Sequence, residues 1–575
     1  MFKYNACVYE IYNHYPLYPW IQFDDFGHFV YAPGALCCTL VPSRHFFKGG
    51  VPMDSIMQHY ELANFDDFSI TGFLVPTGHY AQKIGLIDLF KQHLKVKMKT
   101  VHHTPVEKII ELFVSMISGC PDIKTVNNRL VPDKLAAAAW CQKQFADQSQ
   151  ASLVLHRITP ENLLELEEIF QTLFDEQSLA RRHPRNDWLI VDVDMTGLPV
   201  SPSSRTYEGA TFGFMQKEKG KGYKLTCPYT GGEFGEVFGG LFDPGSAHCT
   251  AKLTDLLLLI EKRVGSPPSS LAKYRTRIQP LLTQAKILED RARRRKEEAS
   301  RARKHERRRT LERRSTRLHV RAEILREEVS QALKTSQSFD TLRHHNSRRG
   351  ILIRGDAGFG SFEDIMLLSE LGYDFLLKGY SPRTARVLAQ GVAESQWVRF
   401  NPILCVAELG IIKLSGCPYP VRVVLGRTKT AKPQVFQYFH LVTIIPERVK
   451  DAVELVKFYN ARQTIEAFIK TGKNVLHLKH FRVRNFYGIQ FTLTLGLLAH
   501  NFMNWARREI FAGTPLARMG IREFVEQAMR VPARLKPLEI DMPVTLFPET
   551  SVYAQALVRA TEKKSSIQIL FPFSN

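Results

Sequence analysis

One segment in the second half of the chain carries side chains capable of chemistry at helical spacing. The sequence from 451 to 473, DAVELVKFYNARQTIEAFIKTGK, predicts one continuous helix. At 100° per residue, Tyr459, Arg462, Glu466 and Lys473 fall within an arc of about 60°. A carboxylate flanked by two cations and a phenol suits a metal ion held beside a phosphodiester, and a solvated row of ion pairs is the alternative interpretation.

Further acidic residues lie in segments that are predicted to be buried strands. The run LIVDVDMTG at 189–197 carries Asp192 and Asp194, whose side chains alternate to the same face of a strand. Asp356 follows the strand in ILIRGD, at the carboxyl end where open α/β sheets bind their ligands. The strand pattern alone leaves both Asp192 and Asp194 as possible partners of Asp356.

The spacing of the helical residues resembles a known family signature. Tyr459, Arg462, Glu466 and Lys473 match the Tyr-Arg-Glu-Lys signature of bacterial insertion-sequence DDE transposases at every position. The other two acids of that family correspond to Asp194 in a D-x-T-G strand motif and to Asp356 in R-G-D-A-G-F. The neighbouring Thr196 and Gly197 favour Asp194 over Asp192, which remains the reserve candidate. The resemblance covers residues from roughly 140 to 510.

The resemblance implies a fold and a reaction. By resemblance, the expected fold is α/β with an RNase H-like catalytic core. The sequence itself adds a β-rich insertion, a long basic helical insertion that is longer than the usual loop of the family, and a mainly helical N-terminal region that we expect to bind DNA. Asp194, Asp356 and Glu466 would bind two Mg²⁺ ions, for which Mn²⁺ could substitute. Arg462 and Lys473 would contact phosphates, and Tyr459 would position a phosphate or stack beside a base.

By the same resemblance, the function is metal-dependent cleavage and strand transfer of transposon ends. The partners are double-stranded DNA, as transposon ends and target, and a second copy of the chain, as a homodimer on paired ends. Two alternatives belong to other classes: a non-catalytic DNA-binding protein, domesticated or regulatory, and an RNase H-like nuclease without strand transfer.

The charge of the chain is concentrated in one block. The 575 residues include 78 Lys and Arg against 57 Asp and Glu, a formal net charge of +21. Residues 291–320 alone hold 14 Lys and Arg and 4 Glu, a net +10. Pairs such as Glu297 and Arg301 favour a helix, but apolar residues look too few for a core-facing stripe. We therefore expect an exposed helix, either as a solvated spacer or as a phosphate-binding arm.

Composition and turn signals predict the organisation of the rest. Thr104 to Glu107 predicts a capping box at the start of a helix, and Gly119 predicts the end of that helix. Asp133 predicts the start of another helix, and this pair of helices fits a helix-turn-helix or plain packing.

We predict an N-terminal region that binds DNA ends (1–185), a first core part (186–266), the arginine-rich insertion (267–349), a second core part with β-rich insertion (350–510) and a C-terminal helical region (511–575).

The sequence predicts neither a secreted nor a membrane-spanning protein. Nine cysteines without a CxxC pair favour a reduced compartment, and the N-terminus does not resemble a secretory signal. The uncharged stretch from Phe486 to Trp505 contains amides and a histidine, so it predicts a buried core helix rather than a membrane span. The expected location is the cytoplasm, in association with the nucleoid.

Overall fold

The structure is a computed structural model. It describes residues 68–100, 102–184, 187–215, 218–346, 350–430, 435–531 and 533–536, together with strand residues 22–23, 29–30 and 568–569. The helices are α1 Leu74–Lys83, α2 Leu86–His93, α3 Pro105–Ile117, α4 Lys124–Arg129, α5 Lys134–Ala139, α6 Gln148–His156, α7 Pro160–Gln177, α8 Leu179–Arg182, α9 Leu253–Val264, α10 Ala272–Arg301, α11 His305–Asn346, α12 Phe362–Leu371, α13 Pro382–Ala389, α14 Ala452–Asn460, α15 Gln463–Asn474, α16 Phe486–Ile510 and α17 Ile521–Glu526.

The strands form one large mixed sheet and two small ones. The strands are β1 Gln22–Phe23, β2 Phe29–Val30, β3 Phe68–Ser69, β4 Leu189–Pro199, β5 Thr211–Phe214, β6 Lys219–Thr230, β7 Glu236–Val237, β8 Leu241–Pro244, β9 Ile351–Gly355, β10 Asp374–Lys378, β11 Val398–Arg399, β12 Leu404–Lys413, β13 Pro420–Lys429, β14 Phe436–Thr443, β15 Ala533–Lys536 and β16 Gln568–Ile569. The order in the large sheet is β11-β12-β13-β14-β10-β9-β4-β6-β5, and β7 and β8 also pair with β6. This mixture of sheet and helices confirms the predicted α/β class.

The centre of the large sheet is parallel, and its flanks are antiparallel. β4 pairs with β9 and β9 with β10 in parallel, whereas β6 runs antiparallel to β4. All five residues of β9 are buried, as expected for a strand covered on both faces. The meander β12-β13-β14 joins the sheet through the antiparallel pair of β14 with β10.

The helix signals of the N-terminal region are confirmed in part. Thr104 and Glu107 form the predicted capping box at the start of α3, and Gly119 has a φ of 70° just beyond its end. The helix after Asp133 begins as predicted and ends at Ala139, where Trp140 leaves the helical conformation and Cys141 has a φ of 57°. The rings of Phe113 in α3 and Phe502 in α16 lie 5.3 Å apart, so α3 is a core helix.

The arginine-rich block forms a helical hairpin. α10 and α11 are joined by a turn at 302–304 and pack antiparallel, with the Ser315 hydroxyl donating to the Ala292 carbonyl and Arg326 paired with Glu289. The prediction of one exposed helix with too few apolar residues for a stripe was wrong. Ala285, Ala292 and Ala299 are buried at heptad spacing, because a partner helix from the same chain covers them.

The segment from 451 to 473 is also divided. α14 ends at Asn460 and α15 begins at Gln463, so the prediction of one continuous helix was wrong at Ala461 and Arg462. Both residues keep right-handed backbone angles, with φ of −61° and −59°, which limits the change in direction of the side chains.

α16 is the buried core helix that the sequence predicts. Asn501 accepts a hydrogen bond from the Val237 amide (2.9 Å) and donates one to the Val237 carbonyl (2.7 Å), so its side chain satisfies the edge of β7. Along the part of the chain that the structure describes, no helix combines the length and the apolar character needed to cross a membrane.

Candidate active site

Asp194 and Asp356 lie side by side at one edge of the sheet. The parallel register of β4 and β9 pairs Val193 with Gly355. The residues that follow them are Asp194, within β4, and Asp356, directly after β9. The Asp194 carboxylate accepts from the Met195 amide (2.8 Å), and that of Asp356 accepts from the Gly358 amide (2.9 Å). Burial, followed by the charge of Asp356, raises the pKa of Asp194 to about 6. The negative charge of Asp356 therefore disfavours the ionised form of the neighbouring Asp194 carboxylate.

Asp192 has a different environment. Both of its carboxylate oxygens accept from Arg354 on β9, from Nε at 2.7 Å and from Nη2 at 2.9 Å. The Thr464 hydroxyl of α15 also donates to Asp192 at 3.3 Å, and the residue is fully buried. Arg354 donates in turn to the Phe458 carbonyl of α14. Asp192 thus connects two strands to the helices that carry the signature residues.

Arg462 connects the signature segment to the aspartates. Its Nη2 lies 2.8 Å from Glu466 Oε1, and its Nη1 lies 3.6 Å from Asp194 Oδ2. The guanidinium is largely buried, whereas the Glu466 side chain is 57% exposed. Asp194, Asp356, Tyr459 and Glu466 all contribute to the electrostatic environment of Arg462. The side chains that the sequence pattern singled out therefore converge on one site.

Lys473 and Tyr459 border the same site. Lys473 Nζ donates to the Thr196 hydroxyl (2.6 Å) and to the Gly197 carbonyl (2.8 Å), in the strand segment that follows Asp194. Burial lowers the pKa of Lys473 to about 8. Burial also raises the pKa of Tyr459 to about 12, and Asp356 adds to that increase. The phenol is therefore neutral at physiological pH.

The donor set fits a hard divalent cation. Asp194 and Asp356 offer only carboxylate oxygens, which Mg²⁺ and Mn²⁺ prefer, and their mutual repulsion is what a bound cation would relieve. Glu466 is paired with Arg462 rather than gathered with the two aspartates. Across the described ranges, no group of at least three His, Cys, Asp and Glu side chains is arranged to hold a metal ion.

Sequence analysis missed three residues of the site. Arg354 and Thr464 hold Asp192, and Cys249 lies beside the aspartates, whose charges help burial to raise the pKa of the thiol to about 11. The loop after Asp356 also borders a cavity of about 380 Å³ whose lining includes Cys249 and Gly358. An arginine inside the otherwise apolar strand ILIRG was the available signal for Arg354, because a buried cation requires an acidic partner.

Comparison with known proteins points to one class. Residues 326–565 match the family model described as transposase DDE domain group 1. This segment contains Asp356 and the signature from Tyr459 to Lys473, whereas Asp194 lies before it. A search of the curated proteins found no match. The family match supports a DDE transposase.

Proposed function

We propose that this protein is a DDE-type DNA transposase of a bacterial insertion sequence, which cleaves transposon ends and joins them to a target. The observation that carries the proposal is the convergence of Asp194, Asp356 and Arg462 at one sheet edge, with Glu466 paired to Arg462, since these residues come from three separate parts of the chain. The family match to the segment that holds three of them supports the same conclusion.

The proposed catalytic core is RNase H-like. Its support is the strand order: β8 and β6 form an antiparallel hairpin beside β4, and β9 and β10 follow in parallel on the other side. In this interpretation β12 to β14 are the insertion between the last core strand and the helix that carries Glu466.

Asp194, Asp356 and Glu466 are the proposed ligands of two Mg²⁺ ions. When bound, such ions activate a water or a DNA 3′-hydroxyl and stabilise the leaving oxygen of an in-line displacement. Glu466 would exchange its ion pair with Arg462 for this role, which its exposure permits. The released Arg462, together with Lys473, would contact phosphates of the cleaved strand, and the neutral phenol of Tyr459 would position a phosphate or a base.

The proposed substrate is duplex DNA, bound by a homodimer on paired ends. The high net charge of +21 suits a polyanionic partner. End recognition is assigned to the N-terminal region, and the protein would act in the cytoplasm at the nucleoid.

Cleavage assays test the proposal. Duplexes that contain the DNA flanking the coding region are incubated with the intact protein and Mg²⁺ or Mn²⁺, with EDTA as the control. We expect strand cleavage at a fixed position only when a divalent ion is present. Binding without cleavage would favour the non-catalytic alternative, and cleavage without joining to a target would favour the nuclease.

Substitutions of the two signature cations should give graded losses. Arg462→Ala and Lys473→Ala are each expected to slow cleavage of bound DNA by on the order of 10- to 100-fold, because a lost phosphate contact misplaces the strand without removing the carboxylates. Lys457→Ala is the matched control, since Lys457 is exposed and, two residues before Tyr459, points about 200° away from it around α14. Wild-type cleavage by both test variants would contradict the assignment.

Substitutions of Tyr459 test the role of the third signature side chain beside Arg462 and Lys473. Tyr459→Phe removes only the hydroxyl and should cleave faster than Tyr459→Ala, because it keeps the ring, which packs against the apolar cluster that includes Leu455 and Val456. Single-turnover cleavage at saturating protein separates this effect from DNA affinity. Equal rates for the two variants would show that the ring has no positioning role.

A further inference from the structure

We propose that the distal part of the basic hairpin, residues 286–324 at the end of α10 and the start of α11, is an arm that binds duplex DNA through its phosphates. It would grip a segment of DNA away from the acidic site, without reading sequence. The proposal rests on the proposed function, because it adds a second DNA contact to a DNA-processing protein.

The turn of the hairpin places the charge of the block at its tip. Residues 291–320, with 14 Lys and Arg and 4 Glu, lie on both sides of the turn at 302–304. The ion pairs within this tip are local and exposed, such as Arg295 with Glu298 and Arg308 with Glu312. Exposed pairs of this kind are weak, so most of the positive charge is available to an anionic partner.

The packing of the two helices turns the cations outward. The buried positions near the tip are small or apolar, namely Ala292, Ala299 and Leu311, and leave no space for arginine between the helices. On the outer side of α11, Arg309, Arg313 and Arg317 follow one another at four-residue spacing, about 6 Å apart along the axis. Such a row of guanidinium groups can bind successive phosphates, which carry no sequence information.

The root of the hairpin lies at the sheet edge opposite to the acids. Arg343 near the end of α11 pairs with Glu261 and donates to the Leu371 carbonyl, which also accepts from the Ser269 hydroxyl. Leu371 ends α12, which leads back to the start of β10, whereas Asp356 follows the end of the parallel strand β9.

The lengths of the elements separate the arm from the site of cleavage. The five residues of β9 span about 16 Å. The 30 residues of α10 extend about 45 Å. Because the hairpin is much longer than the strand between its root and the acids, its tip lies away from the acids whichever way it points. DNA held at the tip is therefore a different segment from the strand at the acids, either further along the same duplex or in a second duplex.

The test is a salt titration of binding to a random-sequence duplex of about 60 base pairs, a length chosen to exceed several helical turns. The arm variant combines Arg294→Gln, Arg309→Gln, Arg313→Gln, Arg314→Gln and Arg317→Gln, all at exposed positions where glutamine keeps helix propensity. Each phosphate contact contributes about 0.9 to the slope of log K against log salt, so the loss of five contacts would flatten the slope by at most about 4.5 units. We expect a slope flatter by about 3 to 4 units, because not every arginine needs to contact a phosphate.

A control variant carries the same change in charge elsewhere. It combines Arg386→Gln, Arg399→Gln, Arg448→Gln, Arg518→Gln and Arg522→Gln, which are exposed and lie outside both the hairpin and the N-terminal region. A slope change in the arm variant no larger than in this control would overturn the proposal. So would a loss of self-association at unchanged slope, measured by sedimentation, because the hairpin would then bind protein.

Cleavage separates this proposal from the proposed function. At saturating protein, the arm variant should cleave bound DNA at the wild-type rate, since none of its changes touches the acidic site. A flattened slope in a protein whose wild type never cleaves DNA would support the arm and contradict the transposase. Normal wild-type cleavage with an unflattened slope in the variant would contradict the arm alone.

Discussion

Asp356→Asn is expected to abolish DNA cleavage while leaving DNA binding close to that of the wild type. An amide would not replace a carboxylate that holds a metal ion, and a loss of about 4 kcal/mol of transition-state stabilisation corresponds to a rate lower by at least about 10³-fold. Glu466→Gln should behave in the same way, although Glu466 is paired with Arg462 in the structure. Strand cleavage with Mg²⁺ or Mn²⁺, measured beside a gel shift, gives both quantities.

The matched control for these variants is Glu447→Gln, which neutralises an exposed acid outside the site. It should cleave at the wild-type rate. If Asp356→Asn or Glu466→Gln retained wild-type cleavage, the residue concerned would not be a metal ligand. For Asp356, the electrostatic coupling with Asp194 would then have only a structural meaning.

Asp192→Asn is expected to lower stability rather than to remove the chemistry. The substitution breaks a fully buried ion pair with Arg354 and leaves the guanidinium without its charged partner, which costs about 3–5 kcal/mol in comparable cases. Denaturant unfolding measures the loss, and cleavage is compared per folded molecule. A variant as stable as the wild type would contradict the role of this pair.

Asp194→Asn should show the opposite pattern. The pKa of Asp194 is raised to about 6 by burial and by Asp356, so its charged form is disfavoured in the folded protein. Replacing it by a neutral amide should leave the free energy of unfolding unchanged or slightly higher at pH 7.5, while cleavage is lost. An active Asp194→Asn beside an inactive but folded Asp192→Asn would reverse the assignment of the first ligand.

The candidate site could be predicted from sequence because its residues lie in strong local patterns. The strand LIVDVDMTG and the signature spacing fixed the positions of Asp194 and Glu466, and strand pairing then brought Asp356 beside Asp194. Strand alternation could not separate the roles of Asp192 and Asp194, because it places both on one face, and the preference for Asp194 rested on the family resemblance at Thr196 and Gly197. Only the register of β4 with β9 shows that Arg354 lies opposite Asp192 and binds both of its oxygens.

The features that could not be predicted depend on contacts between distant or weakly patterned residues. Ala461 and Arg462 are good helix formers, so propensity gave no sign of the break between α14 and α15. The heptad alanines of α10 are also compatible with a solvated helix, and become a buried seam only when α11 folds back over them. The short strand β5, Thr211–Phe214, alternates in burial, but its two phenylalanines occupy the exposed positions, so no apolar face of this strand points toward a core.

Strand joining by the purified protein is the most direct test of the proposed transposase activity. A linear DNA that carries the sequences flanking the coding region is incubated with a supercoiled target plasmid and Mg²⁺, and the products are sequenced across the junctions. We expect cleavage at both ends and covalent joining of the DNA 3′-ends to the target by the wild type, and neither product with Asp356→Asn. Failure of the folded, DNA-binding wild type to cleave with either Mg²⁺ or Mn²⁺ would contradict this expectation, as would equal joining by Asp356→Asn.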